Sequence, residues 1–454
     1  MSGSDRKKRL VVVGGVAGGM SAAARARRMD PDLEIIVFER TGYVSYGSCG
    51  LPYFIGGLIE NPKDLVARTP AQFAKQNIEA HTHHEVQAID SANKMVTVRD
   101  REEEEEFAID YDRLVIATGG GAIRPPIAGV ELQGVFVLRN VEDGIAVKDF
   151  IAEERPRRAV VIGGGYIGVE VAENFAERGL ETTMLNRPPQ VLDNFDADIA
   201  QFMQDELERH GVKVSVDDTA QGIEGDSKGR VRVVVSEQGR HEADLVLIGA
   251  GVHAESLLAK DAGITLGFKG SIAVDGKMRT NVPDVYAAGD CAETYHLLLK
   301  KSSYVPLGST ANKQGRVAGT NAAGGEAIFE GVLGTAVIKA FHLGLGITGL
   351  TEKVAEQSGI AAKAVTIQHG TRAHYYPSPG PIHIKLVWSP EDGRLLGAQI
   401  AGPVLEAKRI DVFAVALHHG LTIEDLQRLD LSYAPPFAPV WDPILVAANV
   451  AAKS

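Results

Sequence analysis

One pattern constrains this chain more than any other, and it occurs twice: a short apolar strand, a glycine-rich turn, a helix of small residues and a second strand. In the first copy Lys8 to Val13 runs into GGVAGG, where Gly14, Gly15, Ala17, Gly18 and Gly19 are the candidate nucleotide contacts. A helix follows to Asp30, and the strand Leu33 to Phe38 stops at Glu39 and Arg40. In the second copy AVVI leads into a turn with Gly163, Gly165 and Gly168, with Tyr166 and Ile167 opening a helix. TTMLNR then ends on Asn186 and Arg187. Such a frame brings backbone N–H groups and a helix N-terminus to one point, where a pyrophosphate is held, and an acid at the end of the second strand accepts hydrogen bonds from ribose hydroxyls. Two complete frames call for two dinucleotides. The first is imperfect, since Val16 stands where the middle glycine is usual.

Between the frames lies YVSYGSCGLPYFIGG, Tyr43 to Gly57, which holds one of only two cysteines in 454 residues. Two cysteines cannot build a disulfide scaffold, so a reducing, cytoplasmic compartment is expected. By default a lone cysteine is an inert small hydrophobe. Cys49 is a candidate redox thiol because of its place just past the first nucleotide frame, whereas Cys291 is expected only to pack. The apolar run Leu10 to Val13 is too short for a signal peptide, and no run of about 18 apolar residues is present to span a membrane. A net charge of -12 argues against a nucleic-acid partner.

Further along, YDRLVIATGG (with Ala117, Thr118 and Gly119), ADLVLIGAGV and VPDVYAAGDCAE read as buried strands that end in small-residue turns. Asp290, beside Gly289, stands at a strand's carboxyl end, where open α/β sheets contact ligands. The glutamate run Glu102 to Glu106 reads as a solvated hairpin. His81, His83 and His84 lack the acids or cysteines that would complete a metal site, and no metal is expected. After Gly331 hairpins take over, with Asp392 and Gly393 as a turn. A helix then runs from Ile410 to His419, where His418 and His419 meet its dipole, and LDLSYAPPFAPVWDP closes the chain before a short tail. The fold class expected is α/β, two Rossmann-like dinucleotide-binding domains plus a C-terminal α+β domain.

Taken together, GGVAGG, IATGG, GGGYIG with Glu170 following, AAGDCAE and the C-terminal block resemble the pyridine nucleotide-disulfide oxidoreductase family over nearly the whole chain. The resemblance implies a discontinuous FAD-binding domain (1–120 and 243–330), an NAD(P)H-binding domain (121–242) and a dimerisation domain (331–454) that makes a homodimer. It also implies that Glu39 contacts the adenosine ribose of FAD and Asp290 the ribityl chain, with Glu170 either structural or lining the nicotinamide pocket. Ser45, Tyr46, Gly47 and Ser48 precede Cys49 without a second cysteine, which resembles the family's single-cysteine branch: coenzyme A disulfide reductases, persulfide reductases, NADH oxidases and peroxidases. Ala17 stands where the oxidases and peroxidases carry a histidine. Tyr375 and Tyr376 in HYYP, with Tyr433 in LSYAPP, match segments whose tyrosines work beside the cysteine of the other subunit.

The function this implies is an FAD-dependent, NAD(P)H-consuming reduction of coenzyme A disulfide through a mixed disulfide between Cys49 and coenzyme A, with Tyr433 or Tyr375 as proton donor. Persulfide or polysulfide reduction is the alternative, and the chain's stop at Ser454 without a rhodanese-like domain weighs against it. An oxidase, a peroxidase or a non-enzymatic flavin redox sensor stands further off. Arg25, Arg27, Arg28, Ser45, Lys313 and Arg316 are the candidate grip on coenzyme A. Asn186 followed by Arg187, an acid lost and a cation gained, favours NADPH over NADH.

Overall fold

The computed structural model describes residues 6–454. Two sheets are wholly parallel, which explains why their strands read as unbroken apolar runs: helices and loops cover both faces. The first sheet has the order Val285–Ala287, Arg113–Ile116, Arg9–Val13, Glu34–Phe38, Ile78–His81. The second has the order Lys213–Val216, Glu181–Asn186, Arg158–Ile162, Leu245–Ile248, Val135–Val137. Each glycine turn follows the central strand of its sheet, and the helices Ala17–Met29 and Tyr166–Glu177 start directly after the turns. The open ends of two nucleotide folds are thereby built.

One expected boundary moves. Leu245–Ile248 lies beyond 243, on the FAD-binding side of the expected division, yet pairs with Arg158–Ile162 and Val135–Val137 in the second sheet. The chain crosses back only at the short ladder of Val252–Ala254 on Gly120–Ala122. The glutamate run sits at the turn of the antiparallel pair Met95–Asp100 and Glu106–Asp110, exposed as expected. His81 and His84 stack near Phe38, and each of the three histidines lies beside an acid of its own surroundings.

The C-terminal domain is an antiparallel sheet in the order Ala336–Ala340, Leu343–Gly349, Leu395–Pro403, Pro381–Trp388, Lys363–Gly370. Helix Ile410–His418 packs on it. The expected tail is instead the helix Pro443–Ala451, capped by Asp442 through a 2.9 Å bond from the Ile444 N–H. Ile444, Ala447, Ala448 and Ala451 are buried against Ile384, Leu386 and Ile400.

Candidate active site

The Cys49 stretch is fastened on two sides. Ser45 adopts a left-handed backbone conformation, φ 50°, and its N–H donates to the Gly15 carbonyl at 2.8 Å. Its own carbonyl accepts from Ala67 at 2.8 Å, and the Gly47 N–H donates to Leu65 at 2.9 Å. A side chain in that conformation costs on the order of 1 kcal/mol and persists because neighbouring bonds hold it. Cys49 then lies in one tight turn, Ser48–Gly50, that runs into the helix Leu51–Gly56 with Pro52 in its first turn. This helix packs hard on Tyr166–Glu177: a Cβ on Gly56 would meet Asn174 Oδ1 at 1.8 Å. The cysteine is thus suspended between the first glycine turn and the helix of the second.

Cys49 is exposed, whereas Cys291 is fully buried, its sulfur near the carbonyls of Ile116 and Ala288. Even so, desolvation is the main influence on the Cys49 thiol and pushes its pKa up; the charges of Glu170 and Asp290 add to this, and Arg139 opposes it. Tyr53, on the helix that follows, donates a long 3.4 Å hydrogen bond to Glu170. Burial pushes the Glu170 carboxyl up to about 7, helped by Glu173 and opposed by the Tyr53 bond and Lys339. Glu173 is held differently: it pairs with Lys339 and accepts from the Phe341 N–H at 2.8 Å. The Lys339 ammonium stands 5.7 Å from the Tyr53 ring centroid. Two carboxyls one helical turn apart thus sit in different surroundings, Glu170 desolvated and Glu173 paired with a lysine.

The two glycine turns fit their dinucleotides in different ways. At the first, the Gly15 N–H donates to Glu39 Oε2 at 2.7 Å, and Thr41 donates through N–H and hydroxyl to Oε1. The buried carboxylate keeps lone pairs for ribose hydroxyls. Gly14 and Gly19 cannot carry a Cβ, which would meet Ala117 O at 2.1 Å and Gly14 O at 1.8 Å, so the Ala117–Gly119 turn presses directly on the nucleotide turn. Gly18 is buried, and a Cβ on it would meet the Ala288 carbonyl oxygen at 3.0 Å. Its missing side chain therefore makes room for protein, letting the AAGDCAE turn that carries Gly289 and Asp290 close on the start of the helix. At the second, a Cβ on Gly163 or Gly168 would strike backbone, whereas one on Gly165 would meet nothing within 4 Å. That open space, at the start of a helix of 12 residues, is where a pyrophosphate fits. Asn186 accepts from the Gly164 N–H at 2.8 Å, but its amide donates to the carbonyls of Pro188 and Gln190. The side chain is spent on the protein, which leaves exposed Arg187 as the polar group there.

The C-terminal domain adds a pair. The hydroxyls of Tyr375 and Tyr433 lie 3.2 Å apart on an exposed face that also carries Phe437, Val440 and Trp441. Tyr376 is turned partly inward, its N–H bonded to Ala373. Among the described residues neither hydroxyl bonds to the Cys49 stretch of its own chain. Of the basic candidates, Arg27 is consumed by the carbonyls of Pro31, Leu33 and Asn77, and this corrects its expected ligand role. Arg25 donates to Thr320 at 2.9 Å across a close helix pair, where a Cβ on Gly315 or Gly319 would meet the facing backbone at 2.2 Å. Arg28, Lys313 and Arg316 are exposed. The last two line a groove of about 690 Å³ that also meets His418 and His419.

Comparison with known proteins decides the family. Residues 8–316 match the model of the pyridine nucleotide-disulphide oxidoreductases, and residues 335–443 match that family's dimerisation domain. The chain belongs to this family. It is an NAD(P)H-dependent flavoprotein oxidoreductase. The NAD(P)H coenzyme A polysulfide/persulfide reductase of Pyrococcus horikoshii is 41% identical over 99% of both chains. The coenzyme A disulfide reductase of Staphylococcus haemolyticus is 34% identical over 95% of this chain and 96% of its own. The crystal structure of reduced Bacillus anthracis CoADR-RHD superposes with a TM-score of 0.95 and 37% identity, over 99% of this chain and 80% of that one. An engineered water-forming NADPH oxidase bound to NADPH gives a TM-score of 0.93 at 28% identity, over 98% of both chains.

Sequence reasoning missed several members of this oxidoreductase's site. Arg139 pairs with Asp290 at 2.6 Å and donates to the Gly120 carbonyl at 2.6 Å. It stands alone before a helix cap, with no motif around it. Lys339, which pairs with Glu173, comes from the dimerisation domain. The buried Tyr304 hydroxyl, near Asp290, has no protein partner among the described residues. Only Asp290, in AAGDCAE, carried a signal for this corner.

Proposed function

We propose that this oxidoreductase reduces coenzyme A disulfide with NADPH through a mixed disulfide on Cys49. The observation that carries the reading is an exposed cysteine beside the first nucleotide turn whose only fellow cysteine is fully buried elsewhere. Its disulfide partner must then arrive from solution. Because desolvation by the surrounding protein, Glu170 and Asp290 all work against a thiolate at Cys49, the neutral S–S form suits the site as a resting state.

FAD, held by the Gly14–Gly19 turn, Glu39 and the Asp290 corner, would supply the electron relay from nicotinamide to sulfur. The protein's own steps are these. The Cys49 thiolate attacks one sulfur of the substrate disulfide, a new S–S bond forms to Cys49, the old S–S bond breaks, and the departing thiolate takes a proton. In a homodimer the exposed Tyr375–Tyr433 pair of the second copy is suited to give that proton from Tyr433 Oη. Arg28, Lys313 and Arg316, with Arg25 and Ser45, form the candidate grip on coenzyme A. The two free cysteines support a reducing, cytoplasmic setting.

NADPH is favoured by Asn186 and Arg187. In the engineered NADPH oxidase, an aspartate is replaced by alanine and the next residue, an alanine, by arginine, at the same interval from a substituted glycine that separates Gly168 from Asn186 and Arg187 here. That glycine becomes alanine in the oxidase and is retained here, and the oxidase's two further substitutions, a methionine to serine and a proline to arginine, fall at the same interval on Pro188 and Asp193 of this chain. A second reading, persulfide or polysulfide reduction on the same Cys49, is favoured by the 41% identity to the Pyrococcus reductase. NADPH oxidation with coenzyme A disulfide, with a persulfide, or with oxygen alone separates the readings. Turnover with the disulfide that vanishes in Cys49→Ser supports the proposal, and full activity in that variant refutes it.

A further inference from the structure

Asp196 occupies the N-cap position of the helix Ala197–Arg209, yet its side chain caps nothing there. An aspartate at an N-cap normally accepts from its own helix, a bond worth about 1 kcal/mol. Here the buried carboxylate is turned into the C-terminal domain. It accepts from Gln399 Nε2 at 2.6 Å, from the Glu352 N–H at 3.1 Å and from the Lys353 N–H at 3.2 Å. The Asp196 N–H donates back to Gln399 Oε1 at 2.8 Å. Lys385, buried, completes the contact with Asp196 at 3.3 Å, Asp198 at 2.9 Å and Glu352 at 3.0 Å. Gln399 is 0% exposed, so its amide is wholly committed to this residue of another domain.

Asp196 ends the loop that begins at Arg187. The same loop is tied to the nucleotide turn, because the Leu192 N–H donates to the Gly164 carbonyl at 2.8 Å. Asn194 Nδ2 donates to Tyr166 Oη at 2.9 Å, on the first residue of the turn's helix. Leu192 is buried with φ 49°, a left-handed conformation that a leucine adopts only when its surroundings impose it. A second, exposed tie joins Lys353 to Asp193 at 2.8 Å. The loop is therefore fixed from inside by Asn186 and Leu192, and from outside by the dimerisation domain.

We infer that Gln399 and Lys385 are positioning residues for the pyridine nucleotide: by holding Asp196 they fix the loop 187–195, and with it Arg187, in the arrangement that accepts a 2′-phosphate. This rests on the NADPH reading above. A clamp that only stabilised the fold would change the melting temperature and leave the two nucleotides equally affected; a positioning clamp changes their ratio.

The test is steady-state oxidation of NADPH and of NADH by the FAD-loaded protein with ferricyanide as acceptor. Gln399→Leu is expected to raise KM for NADPH about tenfold, with KM for NADH and both kcat values within about twofold of the parent. Lys385→Met should act in the same direction, and Lys385→Arg should restore much of the ratio. Thr366→Val removes a hydroxyl that bonds Asp198 across the same interface and should leave the ratio unchanged. If Gln399→Leu and Lys385→Met do not fold, Lys353→Ala decides, with an expected shift of about threefold. An unchanged KM ratio in a folded variant, or equal rises for both nucleotides, overturns the inference. Because ferricyanide needs no coenzyme A, a shifted ratio in a protein that does not turn over coenzyme A disulfide would sink the proposed substrate while this inference stood.

Discussion

The two nucleotide turns of this chain share a frame and differ at one side chain. Each turn donates its second N–H to the residue at the end of the next strand, Gly15 to Glu39 at 2.7 Å and Gly164 to Asn186 at 2.8 Å. Glu39 does this with a charged carboxylate that has acceptor capacity left. Asn186 does it with an amide whose N–H groups are already spent on Pro188 and Gln190. The shared bond shapes both turns, and what is left over differs: spare carboxylate lone pairs at the first, and an exposed arginine beside a spent amide at the second. Reading the end-of-strand residue only as a ligand contact therefore misses half its work.

The largest effect is expected at Glu39. Glu39→Ala strands the Gly15 and Thr41 N–H groups and removes the ribose acceptor, so the protein should be purified largely without FAD, read as the ratio of flavin to protein absorbance. Full FAD content would show that the bond to Gly15 is dispensable. Next comes the second turn. Asn186→Asp keeps the acceptor for the Gly164 N–H but sets a carboxylate oxygen against the Pro188 and Gln190 carbonyls, so the loop that carries Arg187 loosens and KM for NADPH should rise about tenfold. Arg187→Ala should raise KM for NADPH about tenfold and leave NADH nearly unaltered. Equal changes for both nucleotides would locate the selection elsewhere.

An effect on stability rather than on nucleotide choice lies between the turns, where Glu170 on the second turn's helix faces the Cys49 stretch tied to the first. A carboxyl raised to about 7 is mostly protonated below that pH and charged above it. In the folded protein it binds a proton that the unfolded chain has already released, so its contribution to stability falls as pH rises from the ordinary carboxyl value to about 7. Glu170→Gln should remove this loss, about 3 kcal/mol at pH 8, measured by urea unfolding of the FAD-loaded protein. It should also lower the pKa at which Cys49 reacts with iodoacetamide, because Glu170 raises the thiol's pKa. An unmoved alkylation profile would separate the two groups.

What the sequence reveals and what it hides follow from range. The glycine turns, Glu39, Asn186, Cys49 and Asp290 are legible because local motifs of a few residues impose them. Arg139–Asp290, Lys339–Glu173 and Gln399–Asp196 are not, because each joins residues 151 to 203 positions apart. Gly18 is half legible: the motif places it at the nucleotide turn, while the Ala288 carbonyl it packs against belongs to a strand end far along the chain. The strand Leu245–Ile248 is legible as a buried parallel strand, but an apolar run is the same whichever sheet it enters, so the domain boundary near 243 is not. Pro443–Ala451 hides for a related reason: a short helix of mostly apolar residues has no polar face to reveal its period. The pairing of Tyr375 rather than Tyr376 with Tyr433 depends on the turn at Ala373, which two adjacent tyrosines in a sequence cannot disclose.

If Cys49 is half of a disulfide whose other half is coenzyme A, the intact mass of the protein purified without reductant shows it. The expected spectrum shows one coenzyme A adduct per chain, released by a small thiol and absent from Cys49→Ser. Unmodified Cys49 that stays unmodified after incubation with coenzyme A disulfide, or an adduct that persists in Cys49→Ser, would contradict it.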